Sequence, residues 1–80
     1  MTLYHFNELN ENDKARATWE GVFLAHREDG VYRILLYQID SFYVEVYYDK
    51  EKNVLIKFKS FLTTRLLDPY LDQIEIEGKF

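Results

Sequence analysis

In three segments between Val31 and Phe61 the sequence period changes from 3.6 to 2, and this change constrains the fold more than any other feature of the chain. VYRILLYQI, FYVEVYY and NVLIKFKSF are each of strand length and rich in β-branched and aromatic residues, the composition of pleated, half-buried backbone. Asp40-Ser41 separates the first two segments as a two-residue hairpin loop, and DKEKN, Asp49 to Asn53, separates the second pair. Joined by loops this short, the segments predict a three-stranded antiparallel meander.

The loops set the pairing. With Asp40 and Ser41 in the turn, Ile39 is expected opposite Phe42, Tyr37 opposite Val44 and Leu35 opposite Val46. In the second hairpin, Tyr48 is expected opposite Val54, Val46 opposite Ile56 and Val44 opposite Phe58, with Glu45 beside Lys57. Leu35, Tyr37, Ile39, Phe42, Val44, Val46, Tyr48, Val54, Ile56 and Phe58 then share one face. A one-residue slip would turn every side chain over, so agreement of both hairpins on one apolar face supports this register.

The opposite, outer face is mixed. Ile34, Leu36, Tyr43, Tyr47 and Leu55 make an apolar centre, with Glu45, Lys57 and Lys59 at a charged margin. Soluble monomers rarely leave such a patch open unless it binds something. Either the C-terminal segment crosses over and covers it, or these five residues form a contact surface for a second copy or another protein.

Upstream, NENDKARATWEGVFLAHRE reads as the main helix, from about Asn10 to Arg27. Asn10 with Asp13 resembles a capping box, and Glu11 and Asp13 suit the first turn. Ala15, Trp19, Val22, Phe23 and His26 recur at three- and four-residue spacing, and Asp29-Gly30 would end the run. This stripe, with Trp19 buried, is expected to pack on the inner sheet face. Gly21, costing about 1 kcal/mol inside a helix, is read as close packing against a strand. Downstream, Asp68-Pro69 reads as a helix start, with a short helix near Pro69 to Ile74 whose apolar side is Leu67, Tyr70, Leu71 and Ile74. The final EIEGKF is expected to fray or to add a short edge strand. The expected fold is α+β: one main helix on a three-stranded antiparallel meander with a short C-terminal helix (α-β-β-β-α), a single domain over residues 1–80.

Composition narrows the function classes. The chain has no cysteine, so thiol nucleophiles, disulfides and cysteine-ligated metals are excluded. MTLYHFNELNEND lacks a basic segment followed by an apolar one, and no apolar run approaches the ~20 residues of a membrane span; the expected location is the cytoplasm. The order helix-strand-strand-strand-helix is also that of the double-stranded-RNA-binding domain. That family grips phosphate with a basic second helix, where this chain carries the acidic LLDPYLDQIEIEG, and the net charge of −4 repels polyanions. Tyr43, Tyr47, Lys57 and Lys59 offer a small stacking platform for a small ligand or single-stranded nucleic acid. His5 and His26 have no partners at metal-ligand spacing, no phosphate loop or nucleophile motif occurs, and no cofactor is implied. Arg33, aimed at the core face near the sheet edge, is expected to snorkel past Tyr48.

LYQIDSFYVEVYY and the later LLDPYLDQIEI, with Trp-Glu in the helix, FYVE in the second strand and DPYLD near the end, resemble a family of short uncharacterised bacterial proteins. The resemblance spans Leu3 to Ile76 and implies the α-β-β-β-α order, with no activity, cofactor or catalytic residue attached. The expectation is a non-enzymatic protein-interaction module acting through the outer sheet face, most simply by homodimerisation.

Overall fold

A computed structural model describes residues Met1–Ile74; the segment expected to fray or add an edge strand lies outside the described residues. Among the described residues the architecture is α+β, with one four-stranded antiparallel sheet in the order β1-β2-β3-β4. Helices α1 (Leu3–Glu8) and α2 (Glu11–Trp19) precede β1 (Val22–Asp29), β2 (Tyr32–Ile39), β3 (Phe42–Asp49) and β4 (Val54–Phe61), and a 3-10 helix spans Thr64–Tyr70.

The sheet therefore has one strand more than expected. The segment from Val22 to Asp29 extends as β1 and does not continue the helix. Asn10 does cap α2, its side-chain oxygen accepting from the Asp13 amide at 2.8 Å, but the helix ends at Trp19. Gly21 explains why. A Cβ there would lie 2.7 Å from the Gln38 carbonyl oxygen and 3.1 Å from Cγ1 of Ile39, so the chain passes from helix to strand where only glycine fits against β2. Gly21→Ala is expected to cost about 1–3 kcal/mol through overpacking; a denaturant midpoint equal to the parent's would show that the junction relaxes freely. A bulge hid the strand's alternation: Phe23 pairs with Tyr37 and Ala25 with Leu36, leaving Leu24 as the extra residue. Asp29-Gly30 is thus the start of a hairpin turn, with Gly30 at φ 61°, and not a helix end.

The β2–β3 hairpin has the expected register, with Ile39, Tyr37 and Leu35 opposite Phe42, Val44 and Val46. The β3–β4 pairing differs by two residues. Val46 faces Phe58 and Val44 faces Ser60, while a bulge at Ile56 brings Leu55 opposite Tyr48. Asn53 takes a left-handed φ of 54° at the end of the loop, where Asn is tolerated. Because of the bulge, Leu55 packs on the inner face, while Val54 and Ile56 are exposed. Lys57 then lies opposite Tyr47, and Glu45 opposite Lys59.

Two apolar clusters flank the sheet. On the inner face Phe6 of α1 seats on Ile39, Phe42, Val44 and Val46, its ring 5.6 Å from that of Phe42 and 6.3 Å from that of Phe58. On the outer face Leu67 and Tyr70 of the 3-10 helix seat on Ala25, Leu36 and Phe61. That helix begins earlier than the Asp68-Pro69 signal indicated: Thr63 caps it, and Pro69 lies inside it.

Candidate functional site

The outer face holds the buried polar cluster of the molecule. Glu45 is 3% exposed, placed there by the alternation of β3 and covered by the C-terminal segment. The Tyr70 hydroxyl donates to its Oε2 at 2.6 Å, and Nη2 of Arg27 donates to the same oxygen at 3.2 Å. The Tyr47 hydroxyl donates to Oε1 at 3.4 Å. Arg27 Nε also donates to the Tyr70 oxygen at 3.1 Å, so the guanidinium bridges β1 to the 3-10 helix. Burial, then the bond to Glu45 and its charge, push the Tyr70 hydroxyl far above the ordinary tyrosine value. Burial and the Glu45 charge also raise Tyr47. For Arg27, burial works against the charge, but the bonds and charges of Tyr70 and Glu45 outweigh it and raise its pKa.

Chemically this cluster is closed. Both oxygens of Glu45 accept from side chains of the same molecule, and among the described residues no buried side-chain polar atom lacks a partner. Its donors fasten the C-terminal segment to the sheet. Gln73 adds a second fastening: its side-chain oxygen accepts from the His26 amide and its amide donates to the His26 carbonyl. The exposed edge of β1 is thereby capped at that point, one way in which proteins guard edge strands against pairing.

This cover decides the fate of the expected contact residues. Ile34 and Leu36 have no exposed surface and Tyr47 is 8% exposed, because the 3-10 helix lies over their face. Leu55 belongs to the other face. Tyr43 alone of the five remains partly exposed on the outer face, stacked on Phe61 at 5.5 Å. The five do not form an open surface. Of the four residues of the stacking platform, Tyr47 is buried, and the Lys57 ammonium sits 4.6 Å from its ring centroid. His26 lies on a strand, His5 on α1, and no group of three possible metal ligands occurs among the described residues. Arg33, opposite Tyr48 in the sheet, is exposed and meets Glu28 at 3.6 Å.

The open apolar surface is on the inner face instead. Helices of six and nine residues are about 9 and 14 Å long at 1.5 Å per residue, whereas eight-residue strands run about 26 Å. The inner-face residues nearest the Asp40-Ser41 turn, Ile39, Phe42 and Val44, are buried beneath the helices, whereas Leu35, Tyr48 and Leu55 in the other half are only partly buried. Trp19, expected in the core, is 45% exposed and Phe23 50%. Both rings pack on Tyr37 at 5.5 Å, and Trp19 also lies 6.4 Å from Phe58. Leu35, Tyr48 and Leu55 continue the surface as half-buried residues. At its far end is a hollow of about 220 Å³ lined by Arg33, Leu35, Tyr48, Asp49, Lys50 and Asn53.

The periodicity did point to an apolar inner face; what it could not show was how little of that face two short helices cover. Among the described residues no helix is long and apolar enough to cross a membrane. Comparison with family models, curated proteins and solved structures finds no match to this chain.

Proposed function

We propose that the chain is a non-enzymatic protein-interaction module whose contact surface is the less covered half of the inner sheet face together with the aromatic cluster at its border, Trp19, Phe23, Tyr37 and Phe58. The observation that carries this reading is the exposure of Trp19 and Phe23 on a continuous aromatic cluster. Aromatic residues with few charges among them are the composition of interface cores. Trp and Tyr are also the residues on which binding energy concentrates. The buried titratable groups support a non-enzymatic role, because Glu45, Arg27, Tyr47 and Tyr70 satisfy one another within the fold.

Association through such a surface should persist at high salt, whereas phosphate binding weakens steeply with salt. Short single- and double-stranded oligonucleotides are expected to show no sub-micromolar binding to a chain of net charge −4. Complexes formed by the purified protein should survive 1 M salt and be lost in Phe23→Lys. Tight oligonucleotide binding that falls with salt would sink this reading.

A further inference from the structure

We infer that the partner is a second copy of the chain, seated face to face so that Trp19 of each copy enters the hollow beside Arg33 and Tyr48 of the other. The inference rests on the proposed contact surface and names its occupant. Trp19 stands at one end of the less covered half-face, over Tyr37. The hollow stands at the other end, beside Arg33 on the same strand. Four residues of β2 separate the two positions, about 14 Å at strand rise. A two-fold axis through the midpoint, near Leu35, exchanges the two ends. Each copy then offers one half-exposed indole and one recess, the self-complementary pattern that an isologous contact requires.

Size and charge agree with this occupant. At about 220 Å³ the hollow falls below the ~300–1,000 Å³ of small-molecule pockets, a scale that suits a single large side chain. The longer dimensions of the molecule are 38 and 30 Å, so half of that face gives a footprint of about 600 Å², near the ~800 Å² per partner of a standard interface. Each copy carries a net charge of −4, but repulsion is weak at the contact itself. There Arg33 and Lys50 both pair with Glu28, at 3.6 and 2.9 Å. The Arg33 side chain remains 58% exposed, available to lie over an incoming indole, the ring most favoured by cations. The inner face is also the one on which two copies can stack without disturbing either helix layer. Each layer covers mainly the half nearest the Asp40-Ser41 turn, and the two-fold axis sends these halves to opposite ends.

Sedimentation velocity over a range of concentrations, with acrylamide quenching of Trp19, tests the inference. The chain has one tryptophan, so its fluorescence reports the proposed knob alone. The expected result is a dimer in which Trp19 is shielded, and becomes quenchable on dilution. Trp19→Ala and Phe23→Lys should each weaken the dimer by about thirtyfold or more, the effect of losing a hot spot, with circular dichroism unchanged. Val22→Lys, on the same strand but beside Gln38, should leave it intact. Because the chain has no cysteine, Glu20→Cys and Lys50→Cys copies can be mixed. A short bismaleimide should join the mixed pair and neither variant to itself; a dimer that fails this overturns the knob-and-hollow geometry. A monomer at all concentrations with freely quenched Trp19 overturns the second copy while leaving the open contact surface standing for another partner. A monomer with shielded Trp19 means that the chain covers its own face, and both the inference and the proposed surface fall.

Discussion

Replacing Tyr70 with Ala is expected to destabilise the protein by about 3–5 kcal/mol, the range for truncating a buried aromatic residue, and to free the C-terminal segment from the outer face. Tyr70 has no exposed surface. Its ring packs with Leu67 against Ala25 and Leu36, and its hydroxyl holds Glu45 at 2.6 Å. Tyr70→Phe separates the two contributions. It keeps the ring and removes a hydrogen bond to a charged group, which costs about 1.5–3 kcal/mol. The same pair of variants has a pH signature. The folded state raises the pKa of Tyr70 above its unfolded value, which is about 10. The resulting stability is fully present below that pH and is lost as pH rises and the unfolded chain ionises more readily than the folded one. Tyr47 and Tyr48 shift in the same direction. Unfolding titrations from pH 8 to 12 should therefore show the parent losing stability on the alkaline side, with Tyr70→Phe less stable at neutral pH but less steep above pH 10. Parallel curves for the two proteins would mean that the Tyr70 hydroxyl is neither buried nor held against Glu45 in solution.

The central hairpin was legible residue by residue, and the reason is local. Asp40-Ser41 is a two-residue loop, so one turn determines every pair from Ile39–Phe42 outward. The larger errors arose where a bulge or a distant partner intervened. Leu24 is an extra residue in β1, and it put Val22, Phe23 and His26 at spacings that fit a helix continuing from Trp19. Gly21 and the Asp29-Gly30 turn were the available contrary signals. Ile56 did the same to β4 on a smaller scale, moving Leu55 to the inner face. Glu45 looked like a surface charge because its partners, Arg27 and Tyr70, come from segments 18 and 25 residues away. Once β1 is a strand, Arg27 shares the outer face with Glu45, and the carboxylate can be buried. The coverage of the outer face was one of two readings that alternation allowed, and the register of a sheet cannot choose between them. What remained out of reach was the extent of the inner cover, which depends on helix length more than on any side chain.

The N-terminal arm, to which periodicity assigned no role, is expected to hold the other large share of stability. Helix α1 has six residues, far below the ~12–15 at which isolated helices become even marginal. It persists because Thr2 caps it, accepting from the His5 amide at 3.1 Å, and because Phe6 is buried to 1% exposure against Ile39, Phe42, Val44 and Val46. The Lys14 ammonium lies 5.9 Å from the Phe6 ring, and Asn7 accepts from the Ser60 hydroxyl, so the arm ties α2 and β4 together through one aromatic side chain. Phe6→Ala is expected to cost about 3–5 kcal/mol, a large part of the ~5–15 kcal/mol that domains possess. Phe6→Leu keeps more of the buried volume and should cost distinctly less. Because α1 cannot stay helical without its anchor, Phe6→Ala should also lose helical circular dichroism before the sheet melts and open the Leu3–Leu9 segment to protease. If Phe6→Ala and the parent share one denaturant midpoint and one protease map, the arm does not dock on the sheet, and the uncovered area of the inner face is larger than the half that Trp19 borders.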